Sequence, residues 1–216
     1  HRGAVAPARR LDPRRRMRDG TPLHRARPGS GYSVTGLDLS REMPGRTAAS
    51  AEAAGVEVDW IRSDASRFSP PERYEGAICL CEGALGLLGA EDDPIGQTLS
   101  ILANISRSLK PGAKALLTVL NGAAKIRRAS NEDVAEGRFD PLTMVRSSEC
   151  PPREGLSPVP VRERSFLPTE LVLLFRLAGL TVVSMEGGTA GNWGRRRLDL
   201  DEMEIMITTR KIGEPS

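Results

Sequence analysis

The stretch from Gly31 to Ser40 constrains the fold more than any other part of the sequence. It contains a short apolar segment, Tyr32 to Leu37, that is followed by a single acid, Asp38. Ser40 is a residue type that caps helices, and an alanine-rich segment follows it as far as Gly55. This order predicts a strand followed by a covering helix. It places Asp38 at the carboxyl end of the strand, where open α/β sheets bind ligands.

Two similar units follow along the chain. Val56 to Ile61 forms a second apolar segment, and Asp64 lies just beyond it. Tyr74 to Leu80 forms a third, with Glu82 at its end. The near-continuous apolar character of the third segment is typical of a strand that is buried on both faces. Three strands that each end in polar residues predict a nucleotide-binding α/β sheet.

The order of these parts resembles the class I S-adenosylmethionine-dependent methyltransferases. After the long helix that begins at Asp93-Pro94, the stretch from Leu109 to Val119 begins Leu-Lys-Pro-Gly, as the fifth strand of that family does. Two strands, Leu180 to Met185 and Met203 to Thr209, resemble the family's antiparallel edge hairpin. The resemblance covers residues 31–211. It implies a Rossmann-like, mostly parallel sheet with helices on both faces and an antiparallel last strand.

The resemblance also implies S-adenosyl-L-methionine as cofactor. Asp38 corresponds to the acid that accepts the ribose hydroxyls, and Asp64 to the acid that meets the adenine amino group. The cofactor-binding residues implied are Asp38, Leu39, Asp64, Ala65, Cys81 and Glu82. Three local roles stay open: Asp38 as a helix cap, Asp64 as a turn acid, and Glu82 as a brace for its own loop. No catalytic residue is required, because methyl transfer proceeds by alignment of the reactants.

Residues 123–166 interrupt the α/β pattern and are interpreted as a substrate-capping insertion, with strands over 141–147 and 159–166. An insertion at this point often covers the substrate in the family. The predicted substrate contacts are Asn121, Arg164 and Trp193. The insertion's basic residues suit an anionic substrate, although a solvated face and a turn-forming asparagine remain open.

The first 30 residues do not fit the family pattern. They carry nine arginines and two aspartates, a charge of +7, and since the whole chain is +3 the remaining residues carry −4. Prolines interrupt this segment, so we predict an Arg-rich disordered segment over residues 1–30. The family requires a first strand and a glycine-rich cofactor loop at this position.

One hypothesis accounts for the missing loop. Read one base later, codons compatible with Arg14 to Arg27 can encode an aspartate and three glycines at the family's loop spacing. Residues before Gly29 would then be translated out of frame, and the sheet would lack its innermost strand. A regular strand within residues 4–19, paired into the sheet, would contradict this hypothesis, as would tight cofactor binding.

The predicted function is methyl transfer from S-adenosylmethionine to a small molecule in the cytoplasm. The three cysteines, an odd number, favour neither a disulfide framework nor a metal site. No apolar run is long enough for a membrane span, and nucleic-acid binding is not expected. The alternatives are an NAD-type oxidoreductase, since Asp38 also suits a dinucleotide ribose, and a non-catalytic remnant that binds without reaction. The acceptor atom and the oligomeric state are not defined by the sequence.

Overall fold

The computed structural model describes residues 5–8, 33–39, 58–80, 84–150, 158–189 and 192–213. The strands of the main sheet are β1 (Val5–Ala8), β2 (Val34–Asp38), β3 (Val58–Arg62), β4 (Tyr74–Cys79), β6 (Leu109–Leu120), β10 (Leu180–Thr189), β11 (Asn192–Arg196) and β12 (Glu204–Lys211). A second, smaller sheet contains β5 (Leu87–Leu88), β7 (Phe139–Asp140), β8 (Val145–Cys150) and β9 (Val159–Arg164). The helices are α1 (Pro94–Ser108), α2 (Gly122–Arg128), α3 (Asn131–Ala135) and α4 (Pro168–Leu177).

The main sheet has the strand order β11-β10-β12-β6-β4-β1-β2-β3. The four strands predicted to be parallel, β2, β3, β4 and β6, run in one direction, and their carboxyl ends meet at one edge. The closing hairpin is also confirmed, because β12 is antiparallel to both β6 and β10. Strand β11 extends this hairpin and was not predicted. The sheet is therefore mixed, with parallel strands at the predicted site.

The prediction for the amino-terminal segment is wrong in one respect. Residues 5–8 form a strand, β1, between β2 and β4, where we expected no strand from residues 1–29. Strand β2 therefore has a paired edge, and the out-of-frame hypothesis is contradicted by its own criterion. The strand runs antiparallel to both neighbours: Val5 pairs with Leu37 and Cys79, and Ala8 pairs with Val34 and Gly76. Ala8, the last residue of β1, thus lies at the amino ends of the parallel strands, the edge opposite Asp38.

The described long helices, α1 and α4, pack against each other and against one face of the main sheet. The core between them follows the period of two expected of a strand with one face on the core: Ala115, Leu117 and Val119 alternate along β6. Leu102 of α1 and Phe175 of α4 are fully buried in the same core. The helix predicted after Ser40 lies outside the described residues. Within the described ranges, no helix combines the length and the apolar character that a membrane span requires.

The smaller sheet, called here the capping sheet, has the order β5-β9-β8-β7 and is antiparallel throughout. Strands β7, β8 and β9 come from the predicted insertion, whereas β5 comes from the connection between β4 and α1. The sheet joins the carboxyl end of β6 through Phe166, whose N–H donates to Leu120 O at 2.9 Å. Its O accepts from the Gly122 N–H at 2.8 Å. The capping sheet is therefore attached at the same edge as Asp38.

Gly36 lies against the indole of Trp60, which fills the space that a side chain at position 36 would need. The two residues are paired across β2 and β3, and a Cβ on Gly36 would lie 2.4 Å from Trp60 Cζ3. An added methyl group would thus have to displace the indole. The contact lies two residues before Asp38, between the two strands that lead to the predicted ligand acids.

We expect Gly36→Ala to lower the free energy of unfolding by about 1–3 kcal/mol, a typical result of overpacking. Urea unfolding followed by tryptophan fluorescence measures this change, and displacement of the indole should also shift the native emission. Gly213→Ala is the matched control, because a Cβ there meets nothing within 4 Å. Equal stability of the two variants would show that β2 and β3 separate at no cost.

Candidate functional site

A pocket lies at the carboxyl ends of β2 and β3, beside the connection from β4 and the first turns of α1. Its lining residues are Leu37, Asp38, Leu39, Ser63, Asp64, Ala65, Ala84, Leu87, Gln97 and Ile101. The pocket falls where strand order reverses, between the half that contains β2 and β3 and the half that contains β4 and β6. Crevices at such reversals are the usual ligand sites of open α/β sheets.

The pocket brings together four of the six predicted cofactor residues. Asp38 and Leu39 come from the end of β2, and Asp64 and Ala65 from the turn after β3. The two strand ends are joined by a backbone hydrogen bond from Ser63 N to Asp38 O, at 3.1 Å. The predicted clustering of the two acids at one sheet edge is thus confirmed, whereas their ligand contacts stay a prediction. Cys81 and Glu82 lie outside the described residues.

The two acids differ in their surroundings. The Asp38 carboxylate is only 4% exposed and borders the pocket. Asp64 also fills the local role considered for it, because its Oδ1 accepts from Ser66 N and from Ser66 Oγ, both at 2.8 Å. Asp64 therefore stabilises its own turn while it lines the pocket. Most of the other lining side chains are aliphatic, and Ser63 and Gln97 are the polar exceptions, so the site combines polar groups with apolar surface.

Sequence reasoning missed Gln97 of α1, which also lines the pocket. Its Nε2 donates to Asp92 Oδ2 at 2.7 Å, and its buried Oε1 accepts no hydrogen bond within the part of the chain that the structure describes. The sequence nevertheless contains a pattern that could have identified Gln97. Gln97, Ile101 and Asn104 are spaced i, i+4, i+7 and share one helix face, and Asn104 Nδ2 reaches Ala65 O at 2.7 Å.

The surroundings of Asn121 do not support the substrate contact that was predicted for it. It is 1% exposed, and its Nδ2 donates to the carbonyl oxygens of Asp199 and Glu202 at 3.0 and 2.9 Å. Its Oδ1 accepts from Ala123 N at 3.1 Å and caps α2. These bonds fit the local alternative for this residue, and we propose no substrate role for it. Residue 193 is in β11, but the Trp193 side chain lies outside what the structure describes.

Arg164, the second predicted substrate contact, is 3% exposed and holds three elements together. Its guanidinium donates to Thr143 O in the capping sheet, to Pro94 O and Thr98 Oγ1 in α1, and to Glu170 in α4. Burial lowers the pKa of this guanidinium from its ordinary value, and Glu170 and Asp93 oppose that shift. Arg164 therefore has structural partners on every side, which argues against a substrate role.

The other basic residues of the insertion are largely engaged as well. Lys125 Nζ lies 3.7 Å from Glu163 Oε2, and Arg127 Nη1 lies 2.9 Å from Asp201 Oδ1. Arg162 Nη1 donates to Gly89 O at 2.6 Å and to Ala90 O at 2.9 Å. The expectation that these charges attract an anionic substrate finds no support in this arrangement.

The structure is similar to many solved methyltransferases. CcbJ methyltransferase from Streptomyces caelestis has a TM-score of 0.63 at 22% identity, over 83% of this chain and 74% of that chain. An S-adenosylmethionine-dependent methyltransferase from Clostridium acetobutylicum has a TM-score of 0.58 at 11% identity, over 82% and 74%. A third, from Methanosarcina mazei, has a TM-score of 0.58 at 16% identity, over 83% of this chain and 82% of that chain. The chain has the class I methyltransferase fold.

No family model and no curated protein matches the sequence. The methyltransferase fold therefore rests on the structure and on the ordered strand ends. Within this fold, β1 occupies the position of the first strand, but its direction is reversed. The pocket lies at the carboxyl ends of the parallel strands, the edge at which open α/β sheets usually bind ligands.

If Arg164 is structural, Arg164→Met should lower the free energy of unfolding by about 2–4 kcal/mol, because Glu170 and buried carbonyl groups would lose their donor. Urea unfolding measures the loss. Arg128→Met is the control, since Arg128 is exposed in the same insertion and should change stability little. A stable Arg164→Met variant that had lost only substrate affinity would restore the substrate role.

Proposed function

We propose that this protein transfers a methyl group from S-adenosylmethionine to a small-molecule acceptor held beneath the capping sheet. The observation that carries the proposal is the pocket in which Asp38, Leu39, Asp64 and Ala65 meet. The fold supports it, since the similar structures from Clostridium acetobutylicum and Methanosarcina mazei are described as S-adenosylmethionine-dependent. The small-molecule class is supported by the capping sheet, which is attached at the same edge of the main sheet as the pocket.

The residues of the pocket fit this cofactor. A carboxylate at Asp38 can accept hydrogen bonds from two ribose hydroxyls, and Leu39, Ala65 and Ile101 offer apolar surface to a flat purine. When bound, S-adenosylmethionine supplies an electrophilic methyl group on a sulfonium sulfur. The chain's own contribution is to bind and orient the reactants and to exclude water. Leu87 lines the pocket and pairs in the capping sheet, so the cap and the pocket share a wall.

The alternative of an NAD-type oxidoreductase is less well supported. Its distinguishing feature was the direction of the last strand, and β12 is antiparallel to β6. The alternative of a non-catalytic remnant depends on the cofactor loop. In the family this loop follows the first strand directly at the ligand edge, whereas β1 ends at the opposite edge. We therefore expect weak affinity for S-adenosylmethionine. A cytoplasmic location stays part of the proposal.

Asp38→Ala should weaken binding of S-adenosylhomocysteine by about 1.5–3 kcal/mol, because hydrogen bonds to a charged group are lost. A ligand-observed NMR titration measures the change and suits weak binding. Circular dichroism should show an unchanged fold.

Asp59→Ala is the control for this substitution. Asp59 is an exposed acid on neighbouring β3 and should leave affinity unchanged. Two results would refute the assignment of Asp38: an Asp38→Ala variant that binds as tightly as the wild type, or a loss of affinity that Asp59→Ala reproduces. Absence of any binding by the wild-type chain would contradict the proposed function itself.

A further inference from the structure

The carboxamide of Gln97 is held in one orientation. Its Nε2 donates to Asp92 Oδ2 at 2.7 Å, and the same carboxylate oxygen accepts from Gly89 N at 2.6 Å. An ionised carboxylate only accepts hydrogen bonds, so the nitrogen of the amide must face Asp92 and the oxygen must face away from it. Gln97 lines the pocket, and its amide cannot turn the nitrogen away from Asp92 without losing that hydrogen bond.

The support for Asp92 comes from the capping sheet. Arg162 of β9 donates to the carbonyl oxygens of Gly89 and Ala90, and its backbone pairs with Leu88 of β5. These bonds fix the turn that carries Asp92. The position of the Gln97 acceptor is thus determined by a side chain of the cap, 65 residues further along the sequence.

The acceptor itself has unmet hydrogen-bonding capacity. Oε1 of Gln97 is buried, and no protein donor in the described residues reaches it. A buried acceptor without a donor is unfavourable, and a ligand donor in the pocket would remove this cost. Ile101 and Asn104 lie on the same face of α1, and Asn104 contacts the turn of Ala65. This face therefore lies opposite the strand ends where a purine would bind.

We infer that Gln97 is a nucleobase-selecting residue whose Oε1 accepts a hydrogen bond from the exocyclic 6-amino group of a bound purine, with Asp92 as its positioning residue. The inference rests on the proposed function, which supplies an adenosyl ligand to this pocket. It adds a contact from α1 to those at the ends of β2 and β3. It also predicts discrimination between a 6-amino purine and a 6-oxo purine.

The test is a cycle of two proteins and two ligands. The proteins are the wild type and Gln97→Met, which keeps the length of the side chain and removes the acceptor. The ligands are S-adenosylhomocysteine and its deamino analogue, with hydrogen in place of the 6-amino group. We expect the wild type to favour the amino ligand about 3- to 10-fold, the value of one neutral hydrogen bond. In Gln97→Met this preference should shrink to near unity.

Asp92→Asn provides a second, independent measurement. The carboxamide that it introduces can donate as well as accept, so the Gln97 amide becomes free to turn its nitrogen toward the pocket. The variant should accept the 6-oxo analogue, S-inosylhomocysteine, better relative to S-adenosylhomocysteine than the wild type does. A merely structural role of Asp92 would lower affinity for both ligands alike.

The controls separate the possible failures. Ser100→Ala, exposed on the same helix, should leave every dissociation constant unchanged. If the wild type binds S-adenosylhomocysteine but Gln97→Met keeps the full preference for the amino ligand, the inference is overturned and the proposed function stands. If the wild type binds no adenosyl ligand, the proposed function fails, and this inference fails with it.

Discussion

The burial of one face of helix α1 is the interaction on which the rest of the structure depends. Ile101, Leu102 and Ile105 are buried between the main sheet and α4, and each such side chain contributes about 1.5–3 kcal/mol. The same helix supplies Gln97 to the pocket and binds the capping sheet through Thr98. Core, pocket and cap therefore share a single rigid element, and the geometry of the site follows from how that element packs.

The junction between the cap and the main sheet contains two of the residues that were predicted to contact the substrate. Asn121 and Arg164 are polar residues near strand ends, the places where ligand contacts are commonly found. A capping sheet inserted at this edge brings backbone carbonyl groups out of water, and buried carbonyls require donors. Arg164 supplies such donors to Thr143 O and Pro94 O, whereas Asn121 donates to the carbonyl oxygens of Asp199 and Glu202 in the connection between β11 and β12. In the sequence, a polar residue that contacts a ligand looks the same as one that stabilises the fold. Only its packing in the structure distinguishes the two roles.

The parts of the fold that could be predicted from the sequence are those marked by a pattern of neighbouring residues. The parallel strands and the two acids, Asp38 and Asp64, follow from apolar runs that end in polar residues. Strands β5 and β7 have two residues each and carry no periodicity. Strand β1 contains Pro7, lies beside an arginine-rich segment, and is defined by partners distant in sequence. Gln97 was detectable by its spacing, but its orientation depends on Asp92 and Arg162.

The reversed β1 has a mechanical consequence for the main sheet. Strands β2 and β4 are not hydrogen-bonded to each other, and the four residues from Val5 to Ala8 are all that joins them within the described sheet. Within the described sheet, the pairing of β1 with β2 and β4 is therefore a weak point. Tension applied at the amino terminus would load this short ladder first, and loss of β1 would divide the sheet into a two-stranded and a five-stranded part. Each part would then expose a bare strand edge to solvent and to other chains.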